Sequence, residues 1–200
     1  MIVFQHISKS FHQNLVLKDV YLSIEEGSLI RMSGPNGCGK STLLKIAVGL
    51  MKSDAGEVVY EDKHHIGALI ENPCFIENET GLYNLKFLYN LKNRYDDQKV
   101  RALLKKFLLD PNLKIPVKKY SVGMKQKLGI IQAIMEDQNV IYLDEPTRGL
   151  DEESVKFFYQ LIDDLHRQGK TIIICSHEEL NELHFDKEFV LKDGILNKKI

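Results

Sequence analysis

The octapeptide GPNGCGKS, from Gly34 to Ser41, limits what this chain can fold into more than any other feature. It satisfies the spacing G-x-x-x-x-G-K-[ST], with the strand-like run SLIRMSG before it and the helix-spaced run STLLKIAVGLM after it. Glycines at these positions let backbone N–H groups curl around phosphate oxygens. A helix opening near Lys40 aims the positive end of its dipole at the same anions. Lys40 is expected to bridge the β- and γ-phosphates, and the Ser41 hydroxyl to ligate Mg²⁺. The expected ATP-binding segment is Gly34, Pro35, Asn36, Gly37, Cys38, Gly39, Lys40, Ser41 and Thr42, and the expected activity is ATP hydrolysis. Cys38 reads as a small residue tolerated where Ala or Ser would serve.

The texture of the chain changes twice. The first sixty or so residues read mostly as strands: MIVFQHI, LVLKDVYLSI, GEVVYED and the short run before the loop, with IGALIE (Ile66 to Glu71) following. From about Asn78 to Asp137 three helical stripes appear: Leu82, Leu85, Leu88 and Leu91; Val100, Leu103, Leu104, Phe107 and Leu108; and Met124, Leu128, Ile131 and Met135. All three read as core packing. Strand and helix then alternate through NVIYLDE, SVKFFYQLIDDLHRQ and TIIICSH, a short helix at EELNEL, and the strands KEFVLKD and ILNKKI. This pattern predicts one α/β domain spanning 1–200, with a mostly parallel P-loop NTPase core and an N-terminal antiparallel β subdomain. Residues 1–71 and 138–200 would form the core and β subdomain, and about 72–137 an inserted α-helical subdomain.

Candidate site residues recur at the carboxyl ends of strands, the edge where open α/β sheets bind ligands. NVIYLDE stops in Asp144 and Glu145. Asp144 is placed to hold Mg²⁺, and Glu145 to orient or deprotonate the attacking water. TIIICSH ends in Ser176 and His177, and IGALIE ends in Glu71. Taken singly, each pair of polar residues could merely solvate a strand end. Four segments aiming polar groups at one edge make a composite site.

Bulk properties narrow the partners. A formal net charge of -1 provides no basic field for nucleic acid, and none is expected as a partner. The three cysteines, Cys38, Cys74 and Cys175, lack metal-ligand spacing and suggest a reduced cytoplasmic compartment. No signal pattern opens the chain, and the apolar runs IGALI and TIIIC are far too short to cross a bilayer. Work at a membrane would need a separate spanning chain.

These motifs together resemble those of ATP-binding cassette (ABC) nucleotide-binding subunits over almost the whole chain. YSVGMKQKLGI, from Tyr120, resembles the family signature LSGGQ and its basic tail, with Ser121 and Gly123 retained and Val122 and Met124 departing. VIYLDEPTRGLD resembles the Walker B strand and the loop ending in Asp151. His177 matches the switch histidine. Phe11 stands where an aromatic ring stacks on adenine, although packing in the sheet would also explain it. Glu71 falls at the Q-loop glutamine position, where a carboxylate could approach Mg²⁺ and water. The resemblance implies ATP with Mg²⁺, Glu145, His177, Lys40 and Glu71 as catalytic residues, and Ser41, Asp144 and Glu71 around the metal. It implies a second ATPase subunit, giving a homodimer with Ser121, Val122, Gly123 and Met124 acting in trans. GALIENPCF and YSVGMKQKLGI further resemble ATPases of bacitracin-resistance and lantibiotic-immunity exporters. That implies a transmembrane permease partner and a cytoplasmic protein peripheral on the inner face of the membrane. An accessory ATPase of iron–sulfur cluster assembly is the alternative.

Overall fold

A computed structural model describes residues 1–61 and 63–199. The expected strand end at Asp62 and the terminal Ile200 lie outside the described residues. Among the described residues two sheets carry the fold. β1 (Ile2–Phe11), β2 (Asn14–Ile24) and β4 (Ala55–Tyr60) form an antiparallel sheet in the order β2-β1-β4. The second sheet runs β5-β6-β7-β3-β8-β9: β5 (Ile66–Leu69), β6 (Val140–Asp144), β7 (Thr171–Cys175), β3 (Leu29–Ser33), β8 (Lys187–Lys192) and β9 (Ile195–Lys198). Every pairing in it is parallel except β8 with β9.

The central strands explain their own sequences. VIYLD and TIIIC are buried at every position, as expected of parallel strands covered on both faces. Helix α1 (Lys40–Ala47) and the antiparallel sheet cover one face; Leu17, Ile24, Leu43, Leu44, Met32, Tyr142 and Ile173 pack there. The other face packs Leu143, Ile172 and Ile174 against α4 (Val122–Ile134) and α5 (Glu152–Arg167), through Leu128, Ile131, Phe158 and Ile162. Between β5 and β6 the chain builds α2 (Gly81–Tyr89), α3 (Asp97–Lys106), the 3-10 turn Val117–Lys119 and α4.

Three sequence expectations need correction. Leu91 and Leu108 lie past the ends of their helices and are 65% and 52% exposed, so each apolar stripe loses its last member. Among the described residues no helix forms at EELNEL. The Glu178 carbonyl, which would open that helix, instead accepts from Arg31 and Ser176, while the buried Leu180 and Leu183 anchor an otherwise exposed turn.

Candidate active site

Four parallel strands bring their carboxyl ends to one edge of the sheet. β3 leads into the glycine loop, whose last glycine, Gly39, caps α1 at φ 110°, a conformation that side chains resist. Lys40 is buried, with Nζ donating to the carbonyls of Gly34 (2.7 Å) and Pro35 (3.3 Å) and standing 3.8 Å from Glu145 Oε1. Ser41 Oγ donates to Asp144 Oδ2 at 2.5 Å, joining α1 to the end of β6.

The turn after β6 is held from several sides. Glu145 adopts φ 46°, a left-handed conformation that costs a non-glycine residue energy and persists only when its surroundings impose it. Its N–H donates to the Cys175 carbonyl at 2.8 Å, and its own carbonyl accepts from Gln126 Nε2 at 2.9 Å. Gln126 also reaches the Pro146 carbonyl, so α4 grips both peptide units of this turn. The Glu145 carboxylate accepts from the backbone N–H of His177 at 3.0 Å, and its Oε2 lies 2.8 Å from His177 Nδ1. Glu145 thus sits between the Lys40 ammonium and the histidine.

Asp144 is the buried acid of the set. Burial is the largest influence and pushes its pKa up, opposed by the Ser41 hydroxyl and the Glu71 backbone N–H, with the nearby Glu145 charge raising it further. Its Oδ1 is buried and, among the described residues, has no hydrogen bond of good geometry. A buried carboxylate oxygen left over beside a serine hydroxyl is an all-oxygen donor set of the kind that suits Mg²⁺.

Glu71 also takes a positive φ, 57°, after β5, and its carboxylate accepts from Lys45 Nζ at 2.6 Å. It remains half exposed. A cleft of about 340 Å³ is lined by Phe11, Gly37, Lys40, Ser41, Thr42, Glu71, Asp144 and Glu145, among others. Phe11 is 42% exposed at its rim, so the ring is not consumed by sheet packing. Pro35 and Cys38 line the adjoining cleft behind the loop instead.

The signature residues stand apart. Ser121 caps α4, its Oγ accepting from the Met124 N–H at 3.1 Å. Gly123 passes so close to the Gly149 carbonyl that a Cβ there would collide with it. Val122 is 62% exposed and reaches a second cleft shared with Ser41, Glu71, Asp144, Glu145 and Arg148, whereas Ser121, Gly123 and Met124 line neither cleft. Asp151 caps α5, accepting from the Ser154 N–H at 2.9 Å and from Lys127 Nζ at 2.6 Å. Lys127, and next the Ser154 N–H, hold its carboxyl well below the usual range.

Sequence reasoning missed Gln126, Lys45, Lys127 and Arg31. A charge within the apolar strand SLIRMSG and a glutamine within the apolar helix MKQKLGIIQAIM were the signals available.

Comparison with known proteins shows the family. The ABC transporter family pattern matches residues 17–148. This chain belongs to the ABC transporter family. It is similar to the lantibiotic transport ATP-binding protein SrtF of Streptococcus pyogenes, 33% identical across 95% of this chain and 85% of that protein. An uncharacterized ABC transporter ATP-binding protein of Bacillus subtilis, YdbJ, is 32% identical across 97% of this chain and 67% of its own length. The fold matches the dimeric structure of MJ0796, a bacterial ABC transporter cassette, with a TM-score of 0.88 and 26% identity over 99% of this chain and 98% of that one. The chain is an ABC-type ATPase, the nucleotide-binding domain of a transporter. Among the described residues no helix is long and apolar enough to cross a membrane.

Proposed function

We propose that this ATPase powers export of a peptide-like compound through a separate membrane subunit, and that two copies complete each other's ATP sites. The observation carrying the catalytic half of this reading is Glu145, set between Lys40 and His177 at the mouth of the glycine loop. Lys40 and the loop amides would take the β- and γ-phosphates. Ser41 and Asp144 would hold Mg²⁺, which supplies charge neutralisation at the phosphates when bound. Glu145 would accept a proton from the attacking water, with His177 holding the carboxylate in place. Phe11 would stack on the adenine, consistent with its exposed ring at the cleft rim. Glu71 would be the Q-loop acid, exchanging Lys45 for the metal shell. Residues 72–137 would form a helical subdomain facing the membrane partner.

The in-trans half rests on the signature. Ser121 opens α4 toward solvent with Val122 exposed beside it, so its helix dipole would aim at the γ-phosphate held by a second copy. Kinship with SrtF supports transport of a lantibiotic-like peptide, and with it a peripheral position under a permease. Affinity purification from solubilised membranes tests this reading. Recovery of a polytopic membrane protein in stoichiometric amount supports it, and recovery of a soluble iron–sulfur scaffold instead would overturn it.

A further inference from the structure

Arg31 places a charge where β3 has only apolar neighbours. Ile30 and Met32 beside it are fully buried, and Arg31 is itself 7% exposed. A guanidinium taken out of water is costly unless its donors are matched. Two are: Nη1 donates to Glu188 Oε2 at 2.9 Å, and Nη2 donates to the Glu178 carbonyl at 2.8 Å. Glu188 stands directly opposite in the β3–β8 register, with Lys199 Nζ 3.5 Å from the same oxygen.

The Glu178 bond is the informative one, because Glu178 follows His177. On the other flank, the Ser176 N–H donates to the Met32 carbonyl at 3.1 Å. Ser176 Oγ donates to the Glu178 carbonyl at 2.9 Å, and the Glu178 N–H returns to Ser176 Oγ at 3.1 Å. The backbone around His177 is thus pinned to β3 at both ends, by Met32 and by Arg31. The same strand runs on into the glycine loop.

We infer that Arg31 is a positioning residue for His177: its buried guanidinium, balanced by Glu188, fixes the backbone that presents the histidine to Glu145. The inference rests on the reading of His177 as part of the hydrolytic site. Strand β3 then sets two parts of that site at once, the loop by its end and the histidine through Arg31.

The test uses Arg31→Met and Arg31→Lys in the full chain, each with native His177 and with His177→Ala. Steady-state ATPase, nucleotide affinity and amide hydrogen exchange over residues 176–183 are measured together. Arg31→Met is expected to lower kcat about tenfold, leaving KM for ATP within about twofold, because a small displacement of a reacting group is costly while the loop is untouched. Exchange at the His177 and Glu178 amides rises, Arg31→Lys restores part of kcat, and the kcat effect vanishes in the His177→Ala background. A folded Arg31→Met protein with unchanged exchange at these amides overturns the inference, as does an equal kcat loss without the histidine. If Arg31→Met does not fold, Glu188→Gln removes the counter-charge while keeping its shape, and is judged by the same exchange criterion. A normal kcat for His177→Ala alone would remove the histidine from the mechanism. The exchange data would then decide whether Arg31 positions the segment.

Discussion

Lys40 and Ser121 each stand at the start of a helix, α1 and α4, yet the two helix starts have different surroundings. Around Lys40 the chain gathers Glu145, Asp144, His177 and Glu71 from three other strand ends, and encloses them in one cleft or its immediate rim. Around Ser121 the bonds are those of the helix's own start, to the Met124 and Lys125 N–H groups, with Gly149 packed against Gly123, and of the signature residues Val122 reaches the cleft beside Ser41 and Asp144. Charge follows the same division: the loop has buried Lys40 facing carboxylates, while the signature tip presents an exposed valine. Covalent proximity and sheet topology complete the first region. The second is complete as a helix cap and incomplete as a binding site, which is the condition expected of a surface that meets another molecule.

The largest expected effect lies in the first region. Glu145→Gln should cut kcat about 10²- to 10³-fold while ATP still binds, since a general base is lost and the loop is kept; activity above a tenth of the native rate would remove Glu145 from that role. Glu71→Ala should lower kcat about tenfold and raise the Mg²⁺ needed for half-maximal rate. Unchanged basal and partner-stimulated rates would return Glu71 to a mere strand end held by Lys45.

Protons sharpen the comparison next. Because burial raises the Asp144 pKa, the folded state holds that proton more tightly than the unfolded chain, so this group's contribution to stability falls as pH rises through the interval between the two values. For binding, the proton competes with Mg²⁺ at a pH above the ordinary aspartate range. Mg²⁺ titrations should therefore show half-maximal concentrations climbing on the acid side, and a flat profile down to the ordinary carboxylate range would contradict the Asp144 assignment.

Asp151 has the opposite sign. Lys127 depresses its pKa, so its contribution is present above the unfolded aspartate value and is lost only as pH falls through the lower folded one. Asp151→Ala should cost about 0.5–2 kcal/mol through the lost cap, and more because it leaves the buried Lys127 ammonium without this partner. Chemical denaturation of the variant measures it, and an unchanged midpoint would contradict the cap. A chemical probe marks the edge of the first region: with Cys74 replaced by Ser, alkylation of Cys38 should inactivate the enzyme, more slowly with Mg-ATP bound. Equal rates with saturating nucleotide would separate Cys38 from the binding segment.

Much of the first region was legible in the sequence because it depends on local patterns. Apolar five-residue runs ending in polar groups became parallel strands, and their ends converged as sheet topology requires. What escaped depends on contacts remote in sequence. Nothing in NVIYLDE announces that Glu145 turns left-handed, since that geometry is imposed by Gln126, Cys175 and His177 together. EELNEL has the spacing of a short helix, but Arg31, far along the chain, takes the carbonyl the helix would need. Leu91 and Leu108 continued their stripes in sequence after the helices had ended in space.

Mixing two inactive chains tests the central claim, that the site closes only between copies. One chain carries Lys40→Ala with its signature intact, the other Ser121→Arg with its loop intact, each with a different tag so that mixed dimers can be counted. Each alone should be inactive, and an equal mixture should recover about a quarter of native activity, because half the dimers are mixed and each has one intact site of two. Mixed dimers that form yet hydrolyse no faster than either parent would contradict a site shared between two chains.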